Sequence, residues 1–167
     1  MSELNWYAVY VKSRHEFMVA TELGRKGIEA YLPSVKRLRQ WKDRKKLVEF
    51  PLFPGYLFIH VRPRPEEFVN ALRTNGVVTL LSNEAGYPTP VPAAEIGSLK
   101  LLVEGGEELD IYPHIKKGAK VRIRRGPLAG AEGTLETKEG MHTFRVNIEI
   151  LGRSVGVKIY ADDVEAA

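Results

Sequence analysis

Four histidines, His15, His60, His114 and His142, are the side chains of this 167-residue chain best suited to acid–base chemistry or metal ligation. Their spacing serves neither. No His-x-x-x-His pair occurs, and there is no cysteine to supply a thiolate. A phosphate-binding Gly-x-x-x-x-Gly-Lys-Ser/Thr loop is also absent. The expectation is a protein that is not an enzyme, with no cofactor and no metal. The chemistry left is that of binding, and two stretches carry it.

The first stretch is Phe50-Pro51-Leu52-Phe53-Pro54-Gly55-Tyr56-Leu57-Phe58-Ile59-His60-Val61. Pro54-Gly55 marks a turn, because proline fixes φ and glycine accepts a positive one. A strand follows, with successive side chains on opposite faces. Leu57, Ile59 and Val61 form an aliphatic face that reads as core. Tyr56, Phe58 and His60 form an aromatic face that suits either docking or packing, and alternation leaves both readings open. The second stretch holds Lys36, Arg37, Arg39, Lys42, Arg44, Lys45 and Lys46 against one acid, Asp43, with Trp41 in the middle. It reads as a protruding β-hairpin with Lys42-Asp43-Arg44 near its tip. One reading is a solvated loop. The other is a basic finger on nucleic-acid phosphates, with Trp41 available to stack.

The elements around these stretches follow from pattern. Trp6-Tyr7-Ala8-Val9-Tyr10-Val11 is strand-like. Ser13-Arg14-His15-Glu16 fits a capping box, and the spacing of Phe17, Ala20, Leu23 and Ile28 predicts a helix over about 14–26. Pro65-Glu66-Glu67 opens a second helix, and Pro92 a third with Ile96, Leu99 and Val103 aligned. The acidic, glycine-containing stretch 104–113 reads as a flexible linker. Beyond it, short alternating strands predict a small barrel, since an open sheet would leave exposed edges. The expected division is 1–103, an α+β domain, then the linker, then 114–167, an all-β domain.

Composition bounds the partners. The chain is 44% hydrophobic and 28% charged, which marks a globular protein. Net charge is +4. Residues 1–103 hold 15 basic and 10 acidic groups and residues 104–167 hold 10 and 11, so the excess lies in the first domain. A polyanionic partner suits that balance. No signal-like segment opens the chain, and no apolar stretch is long enough to span a membrane. A cytoplasmic monomer with no membrane association is expected.

Two motifs now coincide. Lys117-Gly118-x-x-Val121-x-Ile123-x-x-Gly126-Pro127-x-x-Gly130-x-x-Gly133 resembles a KOW motif. Trp6-Tyr7-Ala8-Val9-Tyr10, with Pro51-Leu52-Phe53-Pro54-Gly55-Tyr56-Leu57-Phe58, resembles the NGN domain of NusG-type transcription elongation factors. The order NGN, linker, KOW covers nearly the whole chain. The resemblance is greatest to specialised paralogs of the RfaH, LoaP and UpxY type.

The resemblance implies an NGN domain joined to an SH3-like KOW barrel. It implies docking on the clamp helices of RNA polymerase through Tyr10, Tyr56 and Phe58, with suppression of pausing and antitermination of specific operons. It places Lys12, Arg14, Arg73 and Thr74 where paralogs contact the non-template DNA strand. Lys42, Arg44, Lys45 and Lys46 are further candidates for DNA or nascent RNA. The KOW turn of general NusG factors carries aromatics that contact ribosomal protein S10 or Rho. Here Leu128 and Ala131 stand there, leaving Leu128 as the candidate contact. The alternatives are a housekeeping NusG, or a ribosome- or RNA-binding KOW protein using the basic strand Lys120 to Arg125.

Overall fold

The computed structural model describes residues 3–84, 86–105, 108–113 and 118–167. The side chains of Trp41 and Pro113 lie outside that description, so the stacking expected of Trp41 does too, as do His114, Lys116 and Lys117. The chain forms two compact units, Met1–Pro90 and Val91–Ala167. Each is described separately.

The first unit contains β1 (Asn5–Val11), α1 (Glu16–Arg25), β2 (Glu29–Tyr31), β3 (Ser34–Trp41), β4 (Arg44–Pro51), β5 (Tyr56–Val61), α2 (Pro65–Leu72) and β6 (Val77–Leu80). The two-residue β7 (Pro90–Val91) pairs with β1 where the chain leaves this unit. The main sheet runs β2-β5-β1-β6, antiparallel throughout. β3 and β4 form a separate two-stranded hairpin. In the main sheet, Tyr7, Val9, Val11, Leu57, Ile59 and Val61 meet Val19 and Leu23 of α1 and Phe68 and Ala71 of α2 in one core. Both helices therefore cover the aliphatic face that the alternation assigned to the interior.

α1 begins later than expected. Its first residue is Glu16, His15 precedes it, and no side chain caps it, so the expected box does not form. The buried stripe is Glu16, Val19 and Leu23, whereas Phe17 is exposed. α2 starts with Pro65 at its first position as the sequence requires.

The second unit contains α3 (Ala93–Glu104), β8 (Asp110–Pro113), β9 (Ala119–Ile123), β10 (Glu132–Lys138), β11 (Met141–Ile148), β12 (Arg153–Ile159) and β13 (Val164–Ala166). The strands form one six-stranded sheet in the order β13-β9-β10-β11-β12-β8. Val121, Ile123, Phe144, Val146, Ile148, Val155 and Val157 alternate into its core. Two features differ from the expected division. By its contacts α3 belongs with the strands of this unit. The Ser98 hydroxyl accepts the Glu132 N–H at 3.0 Å, and the Glu95 carboxylate accepts the Glu149 N–H at 3.2 Å. The last four residues of the expected linker are a strand, β8, paired along β12.

A buried cluster fixes β8. The Arg145 guanidinium donates to both Glu136 oxygens at 3.1 Å and to the Ser154 hydroxyl at 2.9 and 3.0 Å. It also lies 4.4 Å from the centre of the Tyr112 ring. A buried cation is tolerable when its donors are used in this way. Burial, and then the Asp110 carboxylate, push the Tyr112 hydroxyl above the ordinary phenol range, so it stays protonated.

Gly133 lets β10 approach β11, because a Cβ there would overlap the Arg145 carbonyl and the Phe144 ring. Gly133→Ala should destabilise this unit by about 1–3 kcal/mol, the usual cost of overpacking. Urea unfolding followed by far-UV circular dichroism checks this, and an unchanged midpoint would contradict it.

Candidate functional site

The site on the first unit is built at the turn between the hairpin and β5. Gly55 adopts φ +90°, which glycine accepts without strain. Its N–H donates to the Glu16 carboxylate at 2.9 Å, and its carbonyl accepts the Val11 N–H at 2.8 Å. Glu16 is buried, and it begins α1, where the helix dipole favours an anion. This explains the missing capping box: the glutamate is spent on the turn. A Cβ on Gly55 would lie 3.2 Å from Cε1 of Tyr10, so the ring of Tyr10 rests beside the turn.

The register of β1 and β5 then lines up three pairs on the aromatic face: Tyr10↔Tyr56, Ala8↔Phe58 and Trp6↔His60. Tyr10 and Tyr56 have ring centres 5.3 Å apart. Tyr10 is 40% exposed and Tyr56 is half-buried. Phe58 is 0% exposed, and its ring stacks 6.4 Å from Tyr31. The expectation that Phe58 touches a partner is therefore corrected. It sits opposite Ala8, in the middle of the sheet, and is sealed. At the far end Trp6 and His60 stack at 4.4 Å, and His60 Nδ1 lies 2.9 Å from a Glu29 carboxylate oxygen. The face thus follows both earlier readings, packed at its middle and open at the Tyr10–Tyr56 end.

Two loops meet beside the N-terminus of α1. The Lys12 N–H donates to the Gly76 carbonyl at 2.9 Å, and a Cβ on Gly76 would press on Val19, Met18 and His15. Lys12 and Arg14 precede α1, Arg73 follows α2, and all three are exposed. Arg14 holds φ +66°, a strained value for a residue other than glycine. Thr74 does not join them. It is 3% exposed and its hydroxyl lies 3.3 Å from the Asn70 carbonyl, closing the end of α2. That expectation is corrected too.

The hairpin cations Lys42, Arg44, Lys45 and Lys46 are all exposed, with Lys42 at the turn. In the second unit, Leu128, the expected partner contact, is only 8% exposed and lines an open concavity. It folds inward after Gly126-Pro127, and a Cβ on Gly105 at the end of α3 would overlap it. The outward residue nearby is Tyr160, 81% exposed. With Pro127, Met141 and Ile159 it lines an open concavity of about 690 Å³. The alternation Val155, Val157, Ile159 was the signal, because it sends the next residue outward. Arg122 pairs with Glu132 and Glu165, and Arg125 with Asp163, so the basic strand is partly neutralised.

Gly152-Arg153-Ser154-Val155-Gly156 has the spacing of a nucleophile elbow. Ser154 lies within β12, is fully buried and accepts hydrogen bonds from Arg145, so the strand-to-helix turn of an elbow is not formed. His15, His60 and His142 each bond locally, to the Ser13 carbonyl, Glu29 and Thr137. Among the described residues no His, Asp and Glu gather as a metal site. Nor, among them, is any helix long and apolar enough to cross a membrane.

A unit of antiparallel sheet with two helices is thus followed by a unit in which α3 accompanies a six-stranded sheet. The family model described as "Transcription termination factor nusG" matches residues 4–100, and the chain belongs to the NusG family. Relatives named "Transcription termination/antitermination protein NusG" include that of Halalkalibacterium halodurans. It is 22% identical over 175 residues and covers 98% of both chains. The Pasteurella multocida relative is 25% identical over 96% of this chain and 93% of its own. That of Helicobacter pylori is 28% identical over 74% and 70%. A solved structure of Thermotoga maritima NusG superposes with a TM-score of 0.52 at 24% identity, covering 97% of this chain and 96% of that one. The protein is a NusG-like transcription factor.

Glu16→Ala should leave the Gly55 N–H buried and unpaired, at a cost of about 1–3 kcal/mol. Chemical denaturation of the variant measures this. A loss well under 1 kcal/mol would mean that the turn holds without the carboxylate.

Proposed function

We propose that this protein docks on transcribing RNA polymerase through its first unit, suppresses pausing and promotes processive elongation of particular operons. It does so as a cytoplasmic monomer without catalytic chemistry of its own. The observation that carries this reading is the Tyr10–Tyr56 pair, two rings held in contact at the open end of an aromatic face whose middle is sealed. Aromatics held rigid by packing make efficient interface anchors, since little side-chain entropy is lost on binding. The polymerase clamp helices are the partner that the family resemblance suggests. Lys12, Arg14 and Arg73 form the accompanying contact to the non-template DNA strand or nascent RNA. The N-terminal unit serves as the polymerase-binding NGN module and the six-stranded sheet of the second unit as the KOW module. A KOW partner, S10 or Rho by resemblance, meets Tyr160 and Met141 in place of Leu128. The reading as a ribosomal KOW protein has less support, because Arg122 and Arg125 are engaged by carboxylates.

Tyr10→Ala and Tyr56→Ala should each weaken retention on purified polymerase by about 1–3 kcal/mol without loss of fold. Phe58→Ala should instead cost about 3–5 kcal/mol of stability. Titration binding assays with a pause assay on the full chain check both; wild-type affinity in both tyrosine variants would remove the docking surface.

Arg14→Gly relieves a positive φ while deleting a cation. It should hold or raise the melting temperature yet weaken binding to the elongation complex, and the pairing of those two readouts is the test. Weakened binding with a lowered melting temperature would assign Arg14 to structure.

A further inference from the structure

The β3–β4 hairpin is paired from Ser34↔Pro51 to Trp41↔Arg44 as a sheet of two strands. Its register sorts the side chains onto two faces. Lys36, Leu38 and Gln40 share one face with Lys45, Leu47 and Glu49. Val35, Arg37 and Arg39 share the other with Arg44, Lys46, Val48 and Phe50. The faces differ in charge. The second carries Arg37, Arg39, Arg44 and Lys46 with no acid among the residues named, whereas the first sets Glu49 against Lys36 and Lys45.

All four cations of the second face are exposed. Arg39 and Lys46 stand directly opposite each other. Like charges so placed destabilise an antiparallel pair unless an anion lies over them. Leu38 and Leu47 are directly opposite, and the Ser34 hydroxyl donates to the Glu49 carboxylate at 2.6 Å. On the cation face the Arg39 guanidinium lies 5.8 Å from the centre of the Phe50 ring, and no acid is among the residues named there.

We infer that the Arg37–Arg39–Arg44–Lys46 face seats on B-form duplex DNA, with the ribbon in the major groove. The cations form two rows, Arg37 and Arg39 on β3 and Arg44 and Lys46 on β4. A ribbon two strands wide has a duplex groove to fill, whereas a single strand offers none. The major groove of B-DNA admits a two-stranded ribbon, and the deep, narrow major groove of A-form RNA does not. Lys45, grouped with its neighbours in the sequence, faces the other way. The inference rests on the nucleic-acid part of the proposed function and needs no polymerase.

The test uses the full chain and a fluorescent 20-base-pair DNA duplex, with a single strand of the same sequence and an RNA duplex as the other probes. Binding is read by anisotropy across a salt series. Wild type should hold the DNA duplex at least tenfold tighter than either other probe at moderate salt. Neutralising Arg37, Arg39, Arg44 and Lys46 together should make the slope of log K against log salt shallower by about 3 to 4, near 0.9 per phosphate contact. The milder pair Arg39→Ala and Lys46→Ala should remove about 2, and covers the case in which the fourfold variant misfolds. Lys36→Ala with Lys45→Ala should leave the slope within one unit. Equal losses from the two faces, equal affinity for single strand or RNA duplex, or no duplex binding by wild type would overturn the inference. Tyr10→Ala should bind the DNA duplex like wild type, so a failure of polymerase docking is read separately.

Discussion

The first unit depends on one turn. Gly55 is held from both sides, its N–H by the carboxylate of Glu16 and its carbonyl by the N–H of Val11. These bonds join the start of α1, the end of β1 and the start of β5. They leave no room for a slip in register, and a one-residue slip would exchange the two faces of β5. The turn must be glycine, both for its positive φ and because the ring of Tyr10 lies against it. The same bonds that close the fold therefore place the Tyr10–Tyr56 pair.

Around that turn the sheet divides its labour along the strands as well as between its faces. One face packs on α1 and α2. The other is sealed at Phe58 and Ala8 and open at Tyr10. Sealed aromatics behind an exposed pair limit the motion of the exposed rings, and a rigid anchor binds at lower entropic cost. The loops after β1 and α2 are joined by the backbone bond from Lys12 to Gly76, and Lys12, Arg14 and Arg73 are exposed.

The second unit is organised by close approach. Gly133 brings β10 against β11, and Gly156 makes room for the Tyr112 ring. Arg145 then ties β10, β11, β12 and β8 together from inside. A partly satisfied cation there would cost more than an apolar side chain, so the cluster favours one arrangement of β8 over others. Within this unit α3 accepts hydrogen bonds at Ser98 and Glu95 and buries Ile96, Leu99 and Leu102.

Some of this was legible in the residues alone. Alternation assigned Leu57, Ile59 and Val61 to the core, Pro65 opened α2, and the hairpin and the β-rich C-terminal region followed from local pattern. These are properties of neighbours in the chain, where the periods of strand and helix fix which side chains share a face. The motifs pointed to the NusG family for the same reason. What local pattern did not decide was burial. Tyr56, Phe58 and His60 alternate identically, yet only the sheet position of Phe58 seals it. Thr74 and Leu128 look like loop residues and are nevertheless buried. Glu16 has the spacing of a cap and serves a glycine 39 residues away. Residues 110–113 have a linker's composition and become a strand because β12 offers them an edge. The sequence determined the elements and their faces through short-range sterics and periodicity. Only the tertiary structure decided which faces stay open, because exposure depends on what long-range pairing brings to cover them.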